Sequence, residues 1–149
     1  MNKLNTEEKN LINNHAFAQI LSTNTKTKND DEFATLSYCP FQLTNNNQLL
    51  GHLSRHNPLI NAVKNNNKVQ AIFTGPQGYI SPRWHKEQRV PTWNYATVSL
   101  TCQLNIIDNN TDKLEAMKEL SQHFDPQWNF NDFNHKKNEK NGATNVTCH

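Results

Sequence analysis

Two segments decide the fold of this chain: residues 72–84, Ile-Phe-Thr-Gly-Pro-Gln-Gly-Tyr-Ile-Ser-Pro-Arg-Trp, and residues 90–95, Val-Pro-Thr-Trp-Asn-Tyr. With the short loop between them, they contain three of the six prolines, two of the three tryptophans and two of the three tyrosines. Glycine and proline interrupt the apolar, β-branched positions, which predicts strand, turn, strand, loop and strand in that order. Because the prolines fix the backbone around them, the neighbouring side chains also have fixed directions, and the pattern indicates a shaped site.

The whole sequence predicts more strands than helices. Strands are expected over residues 16–23, 32–43, 48–54, 68–74, 79–81 and 93–107, the last with period-two alternation between an apolar and a polar face. Short helices are expected over 6–14 with Asn5 as cap, over 58–64 with Asn57 as cap, and up to Phe124 with Asn110 or Thr111 as cap. About six strands with few helices predict a mainly β fold, a barrel or half-open barrel.

Composition limits the possible functions. The 149 residues fit one domain, with a barrel expected over residues 1–124 and a polar tail, solvated or disordered, over residues 125–149. A net charge of +2 and an isoelectric point near 8.4 are too mild to indicate a nucleic-acid binder. The apolar fraction of 34% and the mean hydropathy of -0.88 predict a modest core, which favours stabilisation by a ligand or by a second subunit in a homodimer.

The three cysteines, Cys39, Cys102 and Cys148, form no C-x-x-C motif, and the first two lie in strand-like apolar runs. Such residues are expected to be free thiols that behave as small hydrophobic side chains, which predicts a cytoplasmic protein. The sequence contains neither a secretion signal nor an 18-residue apolar run, so no membrane span is expected.

The two segments resemble the signature of the PaiB family, FMN-binding negative transcriptional regulators of the FMN-binding split-barrel fold. The resemblance rests on Phe-Thr-Gly-Pro at 73–76, Tyr-Ile-Ser-Pro with Trp84 at 79–84, Pro-Thr-Trp-Asn-Tyr at 91–95 and Gly-His-Leu-Ser-Arg-His-Asn-Pro at 51–58. It implies FMN as cofactor and a homodimer that holds the flavin at its interface. It also implies a longer loop after Trp84 and, beyond Phe124, a further helix and closing strands for which no counterpart is expected here.

Resemblance and chemistry together give nine candidate flavin ligands: His52, Arg55, Asn57, Ser81, Arg89, Thr92, Trp93, Asn94 and Tyr95. Arg55 and Arg89 are candidate cations for the phosphate, and the hydroxyls of Ser81 and Thr92 are candidate partners. Asn94 carries a donor and an acceptor for the pyrimidine edge of the ring. No residue is assigned a catalytic role.

The aromatic candidates have alternative interpretations. Trp93 and Tyr95, together with Tyr79, could provide flat surface for the flavin, but they could equally belong to the core or to a dimer interface. Asn94 is one position out of phase with them and should point to the opposite face, where it could also bond to neighbouring backbone. Arg55 could instead pair with an acidic side chain of residues 30–32.

Other functions have weaker support. Direct DNA binding would depend on basic clusters that are more typical of solvated loops, namely Lys26 and Lys28, and then Lys136, Lys137 and Lys140. A flavin-dependent oxidoreductase would have only His52 and His85 as candidate acids or bases. A truncated remnant without any ligand is a further alternative. No third ligand accompanies His52 and His56, so no metal site is predicted.

Overall fold

The computed structural model describes residues 4–23, 34–129 and 143–148. Within them, six strands form a closed barrel: β1 (Phe17–Thr23), β2 (Ala34–Leu43), β3 (Leu49–Ser54), β4 (Lys68–Ile80), β5 (Thr92–Ile107) and β6 (Ala143–Cys148). The helices described in these ranges are α1 (Thr6–Asn14), α2 (Pro58–Asn65) and α3 (Asn110–Phe124), and a 3-10 turn covers Pro82–Trp84. The strands follow one another around the barrel as β1-β2-β3-β6-β5-β4, all antiparallel. The predicted mainly β barrel is confirmed.

The helices begin where polar side chains can cap them. At α1, the Asn5 side chain accepts from the Glu8 backbone N–H at 2.9 Å, and the Glu8 carboxylate accepts from the Asn5 N–H at 2.8 Å. At α3 the cap is Asn109, which accepts from the Thr111 N–H at 2.8 Å, so the predicted cap at Asn110 or Thr111 was wrong by a residue. Three consecutive residues can supply a capping oxygen here, and their sequence alone does not choose among them.

The core lies inside the barrel and beneath two helices. Alternate residues of the strands point inward, and Phe41 of β2 and Phe73 of β4 meet with ring centroids 6.3 Å apart. Ile12 of α1 and Leu59 of α2 are fully buried in the same cluster. Both helices contact β2 and β5, which are not neighbours in the barrel, so each helix lies across a barrel opening. The helices thereby complete a core that the strands alone would leave open.

Strand β4 is continuous through the segment that was predicted to divide it. Its register with β5 runs from Thr74 opposite Thr97 directly to Gln77 opposite Tyr95, so two residues of β4 face one residue of β5. This bulge accommodates Gly75 and Pro76, because a bulge needs no ladder hydrogen bond from a proline that has no N–H. The extra residue reverses the side-chain alternation of β4, and it therefore decides which face the following residues occupy.

Gly51 of β3 provides a stability prediction. A Cβ atom at this position would lie 2.6 Å from a ring carbon of Phe41 and 2.7 Å from the sulfur of Cys39, both buried. We therefore expect Gly51→Ala to lower the free energy of unfolding by about 1 to 3 kcal/mol, measured by urea denaturation. Gly78→Ala is the matched control, since a Cβ there has no atom within 4 Å. Equal stability of the two variants would contradict the prediction.

Strand β6 lies in the region that was expected to be a polar tail. It pairs with β3 from Leu49 opposite Cys148 to Ser54 opposite Ala143, and with β5 from Leu104 opposite Cys148 to Ile107 opposite Asn145. The barrel therefore includes residues 143–148, and its end differs from the predicted boundary at 124. A six-residue strand with few apolar side chains gives too little alternation to be predicted, because its pairing on both edges depends on distant residues. Residues 130–142 lie outside the described part of the chain.

The prediction of free thiols was wrong for two of the three cysteines. Cys102 and Cys148 form a disulfide between β5 and β6, with a Cα–Cα distance of 5.6 Å. Cys39 is a free, buried thiol, and burial raises its pKa from 9.0 to about 12. The cysteines therefore no longer support the predicted cytoplasmic location, because disulfides persist mainly in oxidising surroundings. Separately, none of the helices found in the described ranges is both long and apolar enough to cross a membrane.

Candidate functional site

The end of the β4–β5 hairpin presents two chemically different faces. Beyond the bulge, residues 77–80 pair with residues 92–95. Side chains alternate along each strand, so Ile80, Thr92 and Asn94 share one face, whereas Tyr79 and Trp93 share the other. The predicted opposition of Asn94 to the aromatic residues follows from this register.

The first face forms a pocket with the loop after Trp84. Its volume is about 550 Å³, and its lining residues are Ile80, His85, Arg89, Val90, Thr92 and Asn94. The lining combines a guanidinium, an imidazole, a hydroxyl, an amide and two aliphatic side chains. Apart from the half-buried Ile80, these residues are exposed, so the pocket is an open depression at the end of the hairpin with polar and apolar groups side by side.

Three predicted ligands, Arg89, Thr92 and Asn94, meet in this pocket. Ile80, His85 and Val90 were not predicted as ligands, although His85 had been noted as a candidate acid or base. The signal for them was their position in or between the two proline-containing segments, because the ends of two paired strands and the loop that joins them must lie near one another.

Ser81 has a structural role next to the pocket. It is only 5% exposed, and its hydroxyl oxygen accepts hydrogen bonds from the backbone N–H and the Nε–H of Arg83 at 3.3 and 3.5 Å. The residue thereby caps the Pro82–Trp84 turn, from which the loop with His85 and Arg89 begins. A hydrogen bond from the Ser81 hydroxyl to the flavin phosphate stays a prediction.

Three further candidates, His52, Arg55 and Asn57, lie elsewhere in the chain. They belong to the end of β3 and the turn into α2, and the lining of the hairpin pocket does not include them. Two strands separate β3 from β4 in either direction around the barrel. The Asn57 side-chain oxygen accepts from the Leu59 N–H at 2.9 Å and from the Ser37 hydroxyl at 2.7 Å, which fixes the start of α2.

Trp93 and Tyr95 lie on the second face and are not core residues. They are 59% and 71% exposed, and Trp93 makes an edge contact with Tyr79 at a centroid distance of 6.2 Å. The interpretation of these side chains as core was therefore wrong. A role for Trp93 and Tyr95 in a dimer interface and a role as a surface for the flavin both stay predictions.

This second face continues over the outside of the barrel. The outward residues Tyr38, Gln19, Ile72 and Ser99 form one row across β2, β1, β4 and β5. Phe17 is 64% exposed and stacks on Tyr38 with ring centroids 5.8 Å apart. We call the outward side of these four strands the outer face.

The outer face carries almost no charge. Among its residues in the described strands, Lys68 alone is charged. Several of its polar side chains are bonded within their own sheet. The Gln70 amide donates to the Ser99 hydroxyl at 2.6 Å, and the Thr97 hydroxyl donates to the Phe73 carbonyl at 3.0 Å. Such a face can be covered without leaving these polar groups unsatisfied.

The described residues contain no candidate metal site. There, no three His, Cys, Asp or Glu side chains group in a way that could hold a metal ion.

Known structures place the barrel in a fold class. The chain is similar to the FAD and heme binding protein from Mycobacterium smegmatis, with a TM-score of 0.71, 14% identity, and coverage of 97% of this chain and 66% of that one. It is also similar to the flavocytochrome Anf3 from Azotobacter vinelandii, with a TM-score of 0.70, 12% identity, and coverage of 97% and 63%. The fold is the split barrel that the sequence predicted.

Sequence comparison identifies the family. A family model described as "Putative FMN-binding domain" matches residues 2–145, and the chain belongs to this family. Protease synthase and sporulation protein PAI 2 from Bacillus subtilis (strain 168) is 31% identical over 62 residues, which is 42% of this chain. The matched region spans 30% of the length of that relative. The resemblance to the PaiB family is confirmed, and the family supports FMN as the cofactor.

Proposed function

We propose that this chain binds FMN in the hairpin pocket, does so as a homodimer, and has a PaiB-type role in transcriptional regulation. The observation that carries the proposal is the meeting of Arg89, Thr92 and Asn94 in one pocket. These residues lie in or beside the segment that resembles the family signature. The regulatory part of the proposal is supported by that resemblance and by the similarity to PAI 2.

The chemistry of the pocket fits a flavin mononucleotide. The Arg89 guanidinium can make charge-assisted hydrogen bonds to a phosphate, and the Thr92 hydroxyl can donate to a phosphate oxygen. Asn94, two residues further along the same strand face, offers both a donor and an acceptor to a ring edge. The aliphatic side chains of Ile80 and Val90 provide apolar surface. When bound, FMN supplies the redox-active ring, and the residues of the chain bind and orient it.

The outer face supports a homodimer. Its exposed aromatic side chains and its near absence of charge are typical of the centre of a protein–protein interface. An anionic partner such as DNA would require clustered lysines or arginines there, and Lys68 is the one cation among its described residues. A second copy of this chain provides the same uncharged surface, and a two-fold dimer buries both surfaces together.

A dimer also accounts for the two separate groups of predicted ligands. His52, Arg55 and Asn57 do not line the pocket of their own chain. If both groups contact one flavin, one group must come from the partner subunit. Arg55 is exposed and therefore available to a neighbouring molecule. The flavin would then lie at the subunit interface, as the family resemblance implies.

The first test removes the pocket cation. We expect Arg89→Ala to weaken FMN affinity at least tenfold, because a charge-assisted hydrogen bond contributes about 1.5 to 3 kcal/mol. Quenching of flavin fluorescence during titration measures the dissociation constant. Lys86→Ala is the matched control, since it removes an exposed cation of the same loop that does not line the pocket. An unchanged dissociation constant for Arg89→Ala would exclude this pocket as the phosphate site.

A mixing experiment tests whether the flavin is shared between subunits. Arg55→Ala and Arg89→Ala chains are each expected to bind FMN weakly as homodimers. In a mixed dimer, one of the two shared sites keeps both arginines, so tight binding should return with up to one FMN per mixed dimer. If mixing restores no binding although mixed dimers form, the two arginines do not act on the same flavin across an interface.

A further inference from the structure

Strand β6 is the element that closes the barrel. It lies between β3 and β5, and no other described strand pairs with both of them. The Cys102–Cys148 disulfide joins β6 covalently to β5, across 46 positions of sequence. Closure of the barrel therefore has one covalent component in addition to backbone hydrogen bonds.

Few buried side chains are described for β6. Its described buried side chains are Val146 and Cys148, and the second of these is half of the disulfide. Strand β5 buries Val98, Leu100, Cys102 and Leu104. Local stability follows the number of buried apolar contacts, and among the β6 residues whose burial is described, Val146 is the buried side chain outside the disulfide.

The disulfide is buried, since Cys102 is 3% and Cys148 is 0% exposed, so a reductant reaches it only when β6 opens locally. Cys148 is the last residue of β6, opposite Leu49 and Leu104, and strand ends open more readily than strand centres. The buried Cys39 thiol is a poor attacking group, because burial raises its pKa to about 12 and leaves little thiolate at neutral pH. Reduction must therefore come from an external thiol.

We propose that the Cys102–Cys148 disulfide is a redox switch, and that its oxidised form keeps β6 in the barrel. A dithiol reductant attacks one sulfur, the S–S bond breaks, and two electrons and two protons convert Cys102 and Cys148 to thiols while the reductant becomes a disulfide. In the reduced protein, β6 separates from β3 and β5 more readily than β1 separates from β2. Two strand edges are thereby exposed to pairing with other chains.

Hydrogen exchange of the full chain in its oxidised and dithiothreitol-reduced forms tests the proposal. We expect reduction to accelerate exchange of the β6 amides, and of the β3 and β5 amides that face them. This acceleration should be at least tenfold larger than the acceleration at the β1–β2 ladder. The Cys102→Ala, Cys148→Ala double variant should show this difference without reductant and should not respond to it. Cys39→Ala, which retains the disulfide, should respond like the wild type.

Three results would overturn the proposal. One is that β6 amides stay as protected as the β1–β2 amides after reduction. Another is that all strands lose protection by the same factor, which would make the effect global. The third is that the unreduced protein, once unfolded, has three reactive thiols instead of one, which would mean that Cys102 and Cys148 form no disulfide. None of these bears on the FMN proposal, because Thr92 and Asn94 lie at the opposite end of β5 from Leu104 and Ile107.

Discussion

Replacement of both Cys102 and Cys148 by alanine is expected to lower the free energy of unfolding by about 4 kcal/mol. The disulfide spans 46 positions, and a closed loop of that length removes much of the conformational entropy of the unfolded chain. The alanines also remove buried sulfur atoms from the core, which adds to the loss. Urea denaturation of the wild type and the double variant under oxidising conditions measures the difference.

Reductant provides the control for this prediction. Dithiothreitol should lower the stability of the wild type and of Cys39→Ala, because both contain the disulfide. It should leave the double variant unchanged. If the oxidised wild type and the double variant unfold at the same urea concentration, the cross-link does not stabilise this chain.

Trp93→Glu is expected to raise the dissociation constant of the proposed homodimer at least 100-fold, equivalent to about 2.7 kcal/mol. Trp93 is 59% exposed on the outer face, where it contacts Tyr79. Burial of an unpaired carboxylate in an interface is unfavourable, and removal of a large aromatic side chain loses contact area. Sedimentation velocity over a concentration series measures the monomer–dimer equilibrium.

The matched control places the same charge elsewhere. Gln122→Glu introduces one carboxylate on the exposed surface of α3, outside the four strands of the outer face, and it should leave the dimer intact. A wild-type chain that stays monomeric at all concentrations would contradict the homodimer itself. A dimer that survives Trp93→Glu would show that the subunits meet through a different surface.

The sequence predicted the features that depend on neighbouring residues. The capping box at Asn5 and Glu8, the cap of α2 at Asn57 and the alternation from Val98 to Leu104 all appear in the structure. Such features are predictable because capping hydrogen bonds and side-chain alternation involve residues a few positions apart.

The candidate site was predictable only in part. Arg89, Thr92 and Asn94 meet because they flank one hairpin, whose two strands are close in sequence. His52 and Arg55 could not be placed relative to them from the motifs alone, because the strand order around the barrel sets that distance. The exposure of Trp93 was likewise undetermined, since aromatic side chains at strand spacing suit a core and an interface equally well.

By itself, the sequence determined the family, the mainly β fold and the hairpin with its candidate ligand-binding side chains, because each is encoded in a continuous motif or a local period. Tertiary structure alone decided three other features. The bulge at Gly75 and Pro76 set the faces of β4, β6 closed the barrel, and Cys102 met Cys148. Each depends on strand register between residues far apart in the chain, and a shift of one residue reverses every side chain.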